Sequence, residues 1–450
     1  MGPSSVCETH AQPGIGATFA PMHSFHYRDS QLFCEDLDVA IAAEKFGTPL
    51  YLYSAGTIFD HFRRLDQAPV ELDHLICYAV KANSNRAVLR LLADAGAGFD
   101  IVSGGELHRV IKAGGDPAKC TFAGVGKSRE EIEFALEQRV YSFNIESEAE
   151  LDYISEIASA RSRPAAIALR INPDVAAETH SYISTGTSES KFGIGLDRAA
   201  AVYERAAKMP GIVIRGVQMH IGSQITEAAP FVAAIERIAP LIEALKSRYP
   251  IQFFSIGGGL GIAYESSIAS GRGDWWTANQ THPLTISDYA SAIVPALKKI
   301  GLQVLLEPGR LLVGNAGILV TRVRYLKETA QKKFAIVDAG MNDLIRPALY
   351  GSYHEIVPVN RSAGSGSKID IVGPVCESGD FFAQERQMPE LKPGDLLAIM
   401  SAGAYGFVMA SNYNSRTLPA EALVRGAQIA LIRERQTFED LTRGEIDPKF

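Results

Sequence analysis

The stretch LICYAVKAN, residues 75–83, is a short apolar run that ends in a lysine and an asparagine. Similar runs recur as far as Gly309 and alternate with longer amphipathic segments, which is the pattern of parallel strands joined by helices. The predicted strands are LICYAV (75–80), FDIVS (99–103), CTFAG (120–124), SFNIE (142–146), IALRIN (167–172), GVQMHIG (216–222), FFSIGGG (253–259) and QVLLEPG (303–309). Because eight parallel strands can close on themselves, the sequence predicts an α/β fold built on a (β/α)8 TIM barrel.

After Gly309 the pattern changes to strand-like runs separated by turn residues, which predicts a second, mainly β domain. The strand-like segment GTPLYLYS (47–54), which precedes the barrel, is a candidate to pair with these later strands. The predicted domains are a disordered extension (1–22), an N-terminal segment contributing to the β domain (23–54), the barrel (55–314) and the β domain (315–450).

The composition excludes several classes of protein. The 450 residues are 46% hydrophobic and 21% charged, which argues against a disordered chain or a membrane bundle. The formal charge of −7 and the lack of a basic run argue against nucleic-acid binding. Five scattered cysteines (Cys7, Cys34, Cys77, Cys120 and Cys376) without a C-x-x-C pair indicate neither disulfides nor a zinc site. With no signal-peptide pattern at the start, a cytoplasmic protein is expected.

Two motifs stand at the C-terminal ends of the seventh and eighth predicted strands, GGG (257–259) and EPGR (307–310). In a TIM barrel the functional residues lie at the C-terminal strand ends, and the loops after strands seven and eight often bind phosphate. Glycines allow the backbone to approach an anion closely, and an arginine supplies a forked donor. The motifs therefore predict a phosphate-bearing ligand, with a tight turn beside a surface arginine as the alternative.

Two further strand ends carry reactive groups. Lys81 follows the first strand, where partial desolvation would lower its pKa and favour Schiff-base chemistry, although a solvated edge lysine is the alternative. His220 and Ser223 follow the sixth strand, and a ligand contact and a purely structural histidine are equally open. Together with Glu307, which can face a pyridinium nitrogen, these groups are what pyridoxal 5'-phosphate requires of a protein. No H-E-x-x-H or paired-histidine spacing is present, so no metal is predicted.

The chain resembles the fold type III pyridoxal phosphate-dependent decarboxylases, and among them the diaminopimelate decarboxylases, from about residue 23 to the C-terminus. The resemblance rests on YAVKAN (78–83), FDIVSGGEL (99–107), HIGSQI (220–225), GGGLGI (257–262), EPGR (307–310), IRPALYG (345–351), CESGD (376–380) and GAYG (403–406). It implies an alanine racemase-like barrel with a β domain, in a cytoplasmic homodimer. A glutamate at position 307 favours decarboxylation, since the related racemases carry an arginine there.

The resemblance also implies roles for individual residues. Catalytic roles are implied for Lys81, which would bind the cofactor covalently, for Cys376 as proton donor and for His220 as the residue stacked on the cofactor ring. The implied cofactor-binding residues are Lys81, His220, Ser223, Gly257, Gly258, Gly259, Glu307, Pro308, Gly309, Arg310 and Tyr405. The implied substrate contacts are Arg310, Arg346, Tyr350, Glu377 and Tyr405. Cys376 and Glu377 would enter the active site from the partner subunit.

The implied reaction removes CO2 from the D-centre of meso-2,6-diaminopimelate and leaves L-lysine, the last step of bacterial lysine biosynthesis. Arg346, with Arg310, would bind the distal carboxylate, and Glu377 the distal ammonium. The alternatives are a related decarboxylase of another basic or carrier-bound amino acid and an inactive cofactor-binding homologue. For Arg346 the alternative is a surface or interface salt bridge, and for Cys376 a buried small apolar residue.

Overall fold

The computed structural model describes residues 22–175, 191–279, 282–362 and 366–450. The predicted disordered extension therefore lies, apart from Met22, outside the described residues, as does Cys7. The first elements are β1 (Phe25–Arg28), β2 (Gln31–Cys34), β3 (Leu37–Asp38), α1 (Val39–Phe46), β4 (Leu50–Ser54) and α2 (Ala55–Gln67). The strands β1, β2 and β3 form a small antiparallel sheet.

The predicted eight-stranded parallel barrel is confirmed. Its region of the chain contains β5 (His74–Ala79), β6 (Gly98–Ile101), β7 (Cys120–Phe122), β8 (Ser142–Ile145), β9 (Ala165–Asn172), β10 (Ile194–Gly195), β11 (Ile212–Gln218), β12 (Phe253–Ser255) and β13 (Gln303–Leu306). Neighbouring strands pair in the order β9, β11, β12, β13, β5, β6, β7, β8, and β8 pairs with β9 to close the ring. The short β10 pairs with the end of β9.

Helices cover the barrel from outside. The helices in this part of the chain are α3 (Arg86–Asp94), α4 (Gly104–Ala113), α5 (Arg129–Gln138), α6 (Glu148–Ala160), α7 (Leu196–Ala206), α8 (Ala229–Lys246), α9 (Ser267–Ser270), α10 (Gly273–Ala278), α11 (Ile286–Ile300) and α12 (Arg310–Val313), of which α9 packs against the β domain and α12 begins at the barrel mouth. Several begin at a hydroxyl cap, as where Ser103 accepts from the Glu106 amide. Apolar residues at helical spacing, such as Val88, Leu89 and Leu92 of α3, are buried against the strands. No helix in the described ranges has the length and apolar character needed to cross a bilayer.

The second sheet contains strands from both ends of the chain. Its region comprises β14 (Gly317–Glu328), β15 (Lys333–Val337), α13 (Arg346–Tyr350), β16 (Ile356–Pro358), β17 (Ser367–Val372), β18 (Phe381–Met388), β19 (Leu396–Ile399), β20 (Ala420–Arg425), β21 (Gln428–Arg433) and α14 (Phe438–Thr442). The early strand β4 lies in this sheet, antiparallel to β14 and parallel to β20. The mainly β region predicted after the barrel is thus present.

The last two barrel strands end earlier than the sequence suggests. The prediction carried them to Gly259 and Gly309, whereas β12 ends at Ser255 and β13 at Leu306. Gly257 and Gly259 have φ angles of 72° and 113°, which no regular strand accommodates. The glycine and glutamate motifs therefore lie in turns just beyond the strands, at the mouth of the barrel.

Inside the barrel, Gly216 of β11 faces the ring of Phe253 on β12, and a Cβ there would lie 2.5 Å from ring atoms. We expect Gly216→Ala to reduce the free energy of unfolding by about 1–3 kcal/mol, because the ring is enclosed and cannot move away. Urea unfolding measures this change. Gly126→Ala is the matched control, since a Cβ at Gly126 meets no atom within 4 Å; equal stability of the two variants would contradict the prediction.

Candidate active site

A pocket lies at the C-terminal ends of the barrel strands. Of the residues predicted to form a site, it brings together Lys81, His220, Ser223, Gly258, Gly259, Glu307, Pro308, Gly309, Arg310 and Tyr405. The predicted Gly257 lies directly behind His220, since a Cβ on it would be 2.9 Å from the imidazole Nδ1. Residues from separate strand ends thus converge as the barrel geometry requires.

Lys81 lies in a short turn after β5 and is held by an aspartate that the sequence analysis did not single out. Its Nζ donates to Oδ2 of Asp100 at 2.7 Å, and Asp100 is buried at the end of β6. Burial alone would lower the pKa of Lys81, but Asp100, Tyr405 and Glu307 raise it above its usual range. The expected low-pKa amine is therefore wrong for the cofactor-free pocket. The sequence did contain a signal for Asp100: it is a carboxylate within the apolar run FDIVS, and a buried carboxylate requires a partner.

Glu307 is buried and accepts hydrogen bonds from side chains of three other strands. Its carboxylate lies 2.7 Å from Ser255 Oγ, 3.1 Å from Gln218 Nε2 and 3.4 Å from Asn144 Nδ2. Burial, with a smaller contribution from Asp100, raises the pKa of Glu307 to about 7. The carboxyl group can therefore hold or release a proton near neutral pH, and a cation placed beside it would favour its ionised form.

The glycine turn forms a narrow anion cradle. A Cβ on Gly258 would lie 2.2 Å from the carbonyl oxygen of Glu307, and one on Gly259 would lie 2.5 Å from that of Gly222, so neither position accepts a side chain. At the same mouth, Arg310 Nη2 donates to Ser223 Oγ at 3.0 Å. Backbone amides, a hydroxyl and a guanidinium suit a phosphate group.

The imidazole of His220 presents a neutral ring to the pocket. Burial, followed by the charges of Arg170 and Lys81, lowers the pKa of His220 well below its usual value. Arg170 is a second residue that the sequence analysis missed: it lines the pocket, and its Nη1 binds both carboxylate oxygens of Glu146 at 3.0 and 3.2 Å. A neutral, flat imidazole can stack on an aromatic ring without electrostatic penalty.

Several buried polar atoms around the pocket have no hydrogen-bond partner among the described residues. They are Asp100 Oδ1, Arg170 Nη2, Gln218 Oε1 and Arg310 Nε. Buried polar atoms are normally paired, so this group indicates that the pocket is built for a polar ligand. An amine, a carboxyl group opposite it, a stacking ring and an anion cradle fit pyridoxal phosphate.

A second positive group adjoins the pocket. Arg346, at the start of α13, is only 5% exposed, and its Nη1 lies 2.9 Å from His354 Nε2. Burial and the charge of Arg346 lower the pKa of His354 to about 3, so this ring accepts the bond while its Nδ1 donates to the Met400 carbonyl at 2.8 Å. In the described part of the chain, neither Arg346 nor Arg310 has a carboxylate oxygen within 4.0 Å. Of the alternatives for Arg346, the surface salt bridge is therefore wrong, and the interface salt bridge stays a prediction.

The remaining predicted residues divide into two groups. The ring of Tyr405 lies 4.9 Å from the guanidinium carbon of Arg310, and Tyr350 lies on α13 near enough to raise the pKa of Arg310. Cys376 and Glu377 are exposed and do not line the pocket; Glu377 binds the hydroxyl of Tyr413. Cys376 is thus not the buried apolar residue considered as an alternative, and a single chain does not bring these two residues to the pocket.

Comparisons with known proteins agree with this geometry. Residues 55–314 match the family described as "Pyridoxal-dependent decarboxylase, pyridoxal binding domain". The diaminopimelate decarboxylase of Pseudomonas aeruginosa is 48% identical over 425 residues, which cover 94% of this chain and 99% of the relative. The chain belongs to the diaminopimelate decarboxylase family.

Solved structures of diaminopimelate decarboxylases share the whole fold. The enzyme from Helicobacter pylori, complexed with L-lysine, superposes with a TM-score of 0.84 at 41% identity and covers 90% of this chain and 98% of its own. The enzyme from M. jannaschii, in co-complex with L-lysine, gives a TM-score of 0.87 at 36% identity, with 94% and 98% covered. The likeness extends over the barrel and the β domain together.

The raised pKa of Glu307 predicts a pH-dependent stability in the cofactor-free protein. Between the unfolded pKa near 4.5 and the folded value of about 7, the unfolded chain ionises while the native chain keeps the proton, so stability falls as pH rises. Relative to wild type, Glu307→Gln should gain up to about 3 kcal/mol between pH 5 and pH 8. Urea unfolding at both pH values measures the gain.

Glu71→Gln is the control, because Glu71 is an exposed carboxylate whose pKa is lowered by Lys298. It should not become more stable relative to wild type as pH rises. A Glu307→Gln variant whose stability relative to wild type is the same at pH 5 and pH 8 would show that Glu307 is ionised throughout.

Proposed function

We propose that this chain decarboxylates meso-2,6-diaminopimelate at its D-centre and releases L-lysine and CO2, the last step of bacterial lysine biosynthesis. The observation that carries the proposal is the pair of buried guanidiniums, Arg310 and Arg346, without a carboxylate partner in the described chain beside a pocket fit for pyridoxal phosphate. Uncompensated buried charge is costly, so the pair requires an anionic ligand. A substrate with a second carboxylate supplies that anion.

Pyridoxal 5'-phosphate, when bound, supplies an electron sink for the electron pair left by departing CO2. Lys81 would carry the cofactor covalently, and His220 would stack on its ring. Glu307 would hold a proton at the ring nitrogen. The phosphate would be bound by Ser223, Gly257, Gly258, Gly259, Pro308, Gly309 and Arg310, and Tyr405 would also contribute to cofactor binding.

Substrate recognition follows from charge. Arg310 and Arg346 bind the distal carboxylate, a forked arrangement suited to a planar anion. Tyr350 and Tyr405 contribute hydroxyl groups, and Glu377 balances the distal ammonium. Substrates with a distal cation alone would leave Arg346 buried and uncompensated, which disfavours basic amino acids without the second carboxylate.

We infer that Cys376 returns the proton to the substrate carbon and that it does so in the partner's pocket of a homodimer. Its exposure, and that of Glu377, supports this arrangement, because a residue that acts across an interface must lie on the surface of its own chain.

The described cysteines are all free thiols, as in a reducing cytoplasm.

Carbon dioxide release by the purified holoenzyme tests the reaction. We expect turnover of meso-diaminopimelate, and none of L-ornithine, L-arginine or D-lysine. Lys81→Ala should lose both turnover and the visible absorbance of the bound cofactor, because it removes the covalent attachment. Lys112→Ala, at an exposed lysine of α4, is the matched control and should keep both. Turnover of a basic amino acid, with meso-diaminopimelate inert, would favour the related decarboxylase instead.

Complementation tests the shared site. Lys81→Ala and Cys376→Ala should each have very low activity alone, since a general acid typically contributes 10²–10⁴-fold. Coexpressed, they form mixed dimers in which one of the two sites is intact, so about one quarter of wild-type activity should return. A mixture of Lys81→Ala with Lys81→Met should recover none. Recovery in neither mixture would place Cys376 in the site of its own chain.

A further inference from the structure

Two like charges, Arg310 and Arg346, are buried beside each other next to the pocket, and one tyrosine contacts both. Nη1 of Arg310 donates to the hydroxyl of Tyr264. The guanidinium carbon of Arg346 lies 4.8 Å from the centroid of the same ring, and that of Arg310 lies 5.8 Å from it. Tyr264 therefore uses its hydroxyl for one arginine and its ring for the other.

Tyr264 and the two arginines also affect one another's pKa values. Burial lowers the pKa of Arg346, and Tyr264 is the neighbour that acts most strongly in the opposite direction, while Arg310 lowers it further. Burial alone would raise the pKa of Tyr264, but Arg310 and Arg346 lower it below its usual range. Both guanidiniums therefore make the phenol more acidic, at a place where no described carboxylate lies within 4.0 Å of either arginine.

The backbone that carries Tyr264 is fixed. It follows the glycine turn, and the side-chain amide of Gln224 makes two bonds to Ile262, accepting from its amide at 3.2 Å and donating to its carbonyl at 2.7 Å. The next carbonyl, of Ala263, accepts from Asn315 Nδ2 at 2.9 Å. On its far side the tyrosine ring meets His354 edge-on at 5.3 Å. Such a held ring can define the positions of flexible guanidiniums.

We propose that Tyr264 is a positioning residue for substrate specificity, which holds Arg310 and Arg346 at the spacing that binds the distal carboxylate of the substrate. This inference rests on the proposed function and adds a residue that does not line the pocket itself but binds Arg310, which does. Without the hydroxyl, Nη1 of Arg310 loses its acceptor while Nη2 keeps Ser223, so the guanidinium can turn away from Arg346. Ligands that carry the distal carboxylate should therefore bind more weakly, and ligands that lack it should bind as before.

Binding of two amines to the holoenzyme provides the test. L-lysine keeps the distal carboxylate, whereas cadaverine is the same chain without it. By isothermal titration calorimetry, Tyr264→Phe should bind L-lysine about 10-fold more weakly, the usual effect of losing one bond to a charged group, and should bind cadaverine as wild type does. The KM for meso-diaminopimelate should rise by a similar factor, with kcat within about twofold. Tyr289→Phe, at a buried tyrosine on α11, is the matched control and should change neither ligand.

Three results would overturn the inference: unchanged L-lysine affinity in Tyr264→Phe, equal loss for L-lysine and cadaverine, or a fall in kcat at constant KM. Equal loss, with a lower thermal midpoint, would indicate a purely structural tyrosine. The proposed function is judged separately by the wild-type enzyme. If wild type fails to turn over meso-diaminopimelate, the function is wrong, whereas an active wild type with an unchanged Tyr264→Phe refutes only the role of Tyr264.

Discussion

A carboxyl group in the interior of a barrel constrains everything around it. Glu307 follows the last barrel strand, and its oxygens are bonded by Ser255, Gln218 and Asn144 from three other strands. A buried carboxyl without such partners would be strongly destabilising, so the side chains have to come from strands that the closed sheet brings close. Closure of the barrel thus supplies the hydrogen-bond partners that allow the Glu307 carboxyl group to be buried.

The same position also fixes the backbone of the anion cradle. The amide of Glu307 donates to the carbonyl of Gly257 at 2.8 Å, and its carbonyl lies where a Cβ of Gly258 would be. The glutamate and the glycine turn are therefore one unit: the strand end that presents the carboxyl group also forms one side of the cradle. A shift of the glutamate backbone would therefore also move the glycine turn.

The sequence predicted the barrel and the groups at its mouth, because strand periodicity and the identity of strand-end residues are local properties. It missed partners that depend on which strands become neighbours. Asp100 meets Lys81 only when β5 and β6 pair, and its charge reverses the expected pKa shift of the lysine. Tyr264 was missed for the same reason, since it contacts Arg346 only when the barrel and the β domain fold together. His354 follows Arg346 closely in the β domain, but nothing in the sequence indicated that the two side chains contact each other.

The pocket also depends on the β domain, since α13 carries Arg346 and the backbone amide of Tyr405 donates to the Ala82 carbonyl beside Lys81. The chain secures this alignment by placing β4 between β14 and β20, directly before the first helix of the barrel. A barrel alone would retain Lys81, Glu307 and the glycine turn but would lack one of the two guanidiniums. Most of the groups proposed to hold the cofactor therefore come from the barrel, whereas Tyr405 and the proposed selection of a second carboxylate also require the β domain.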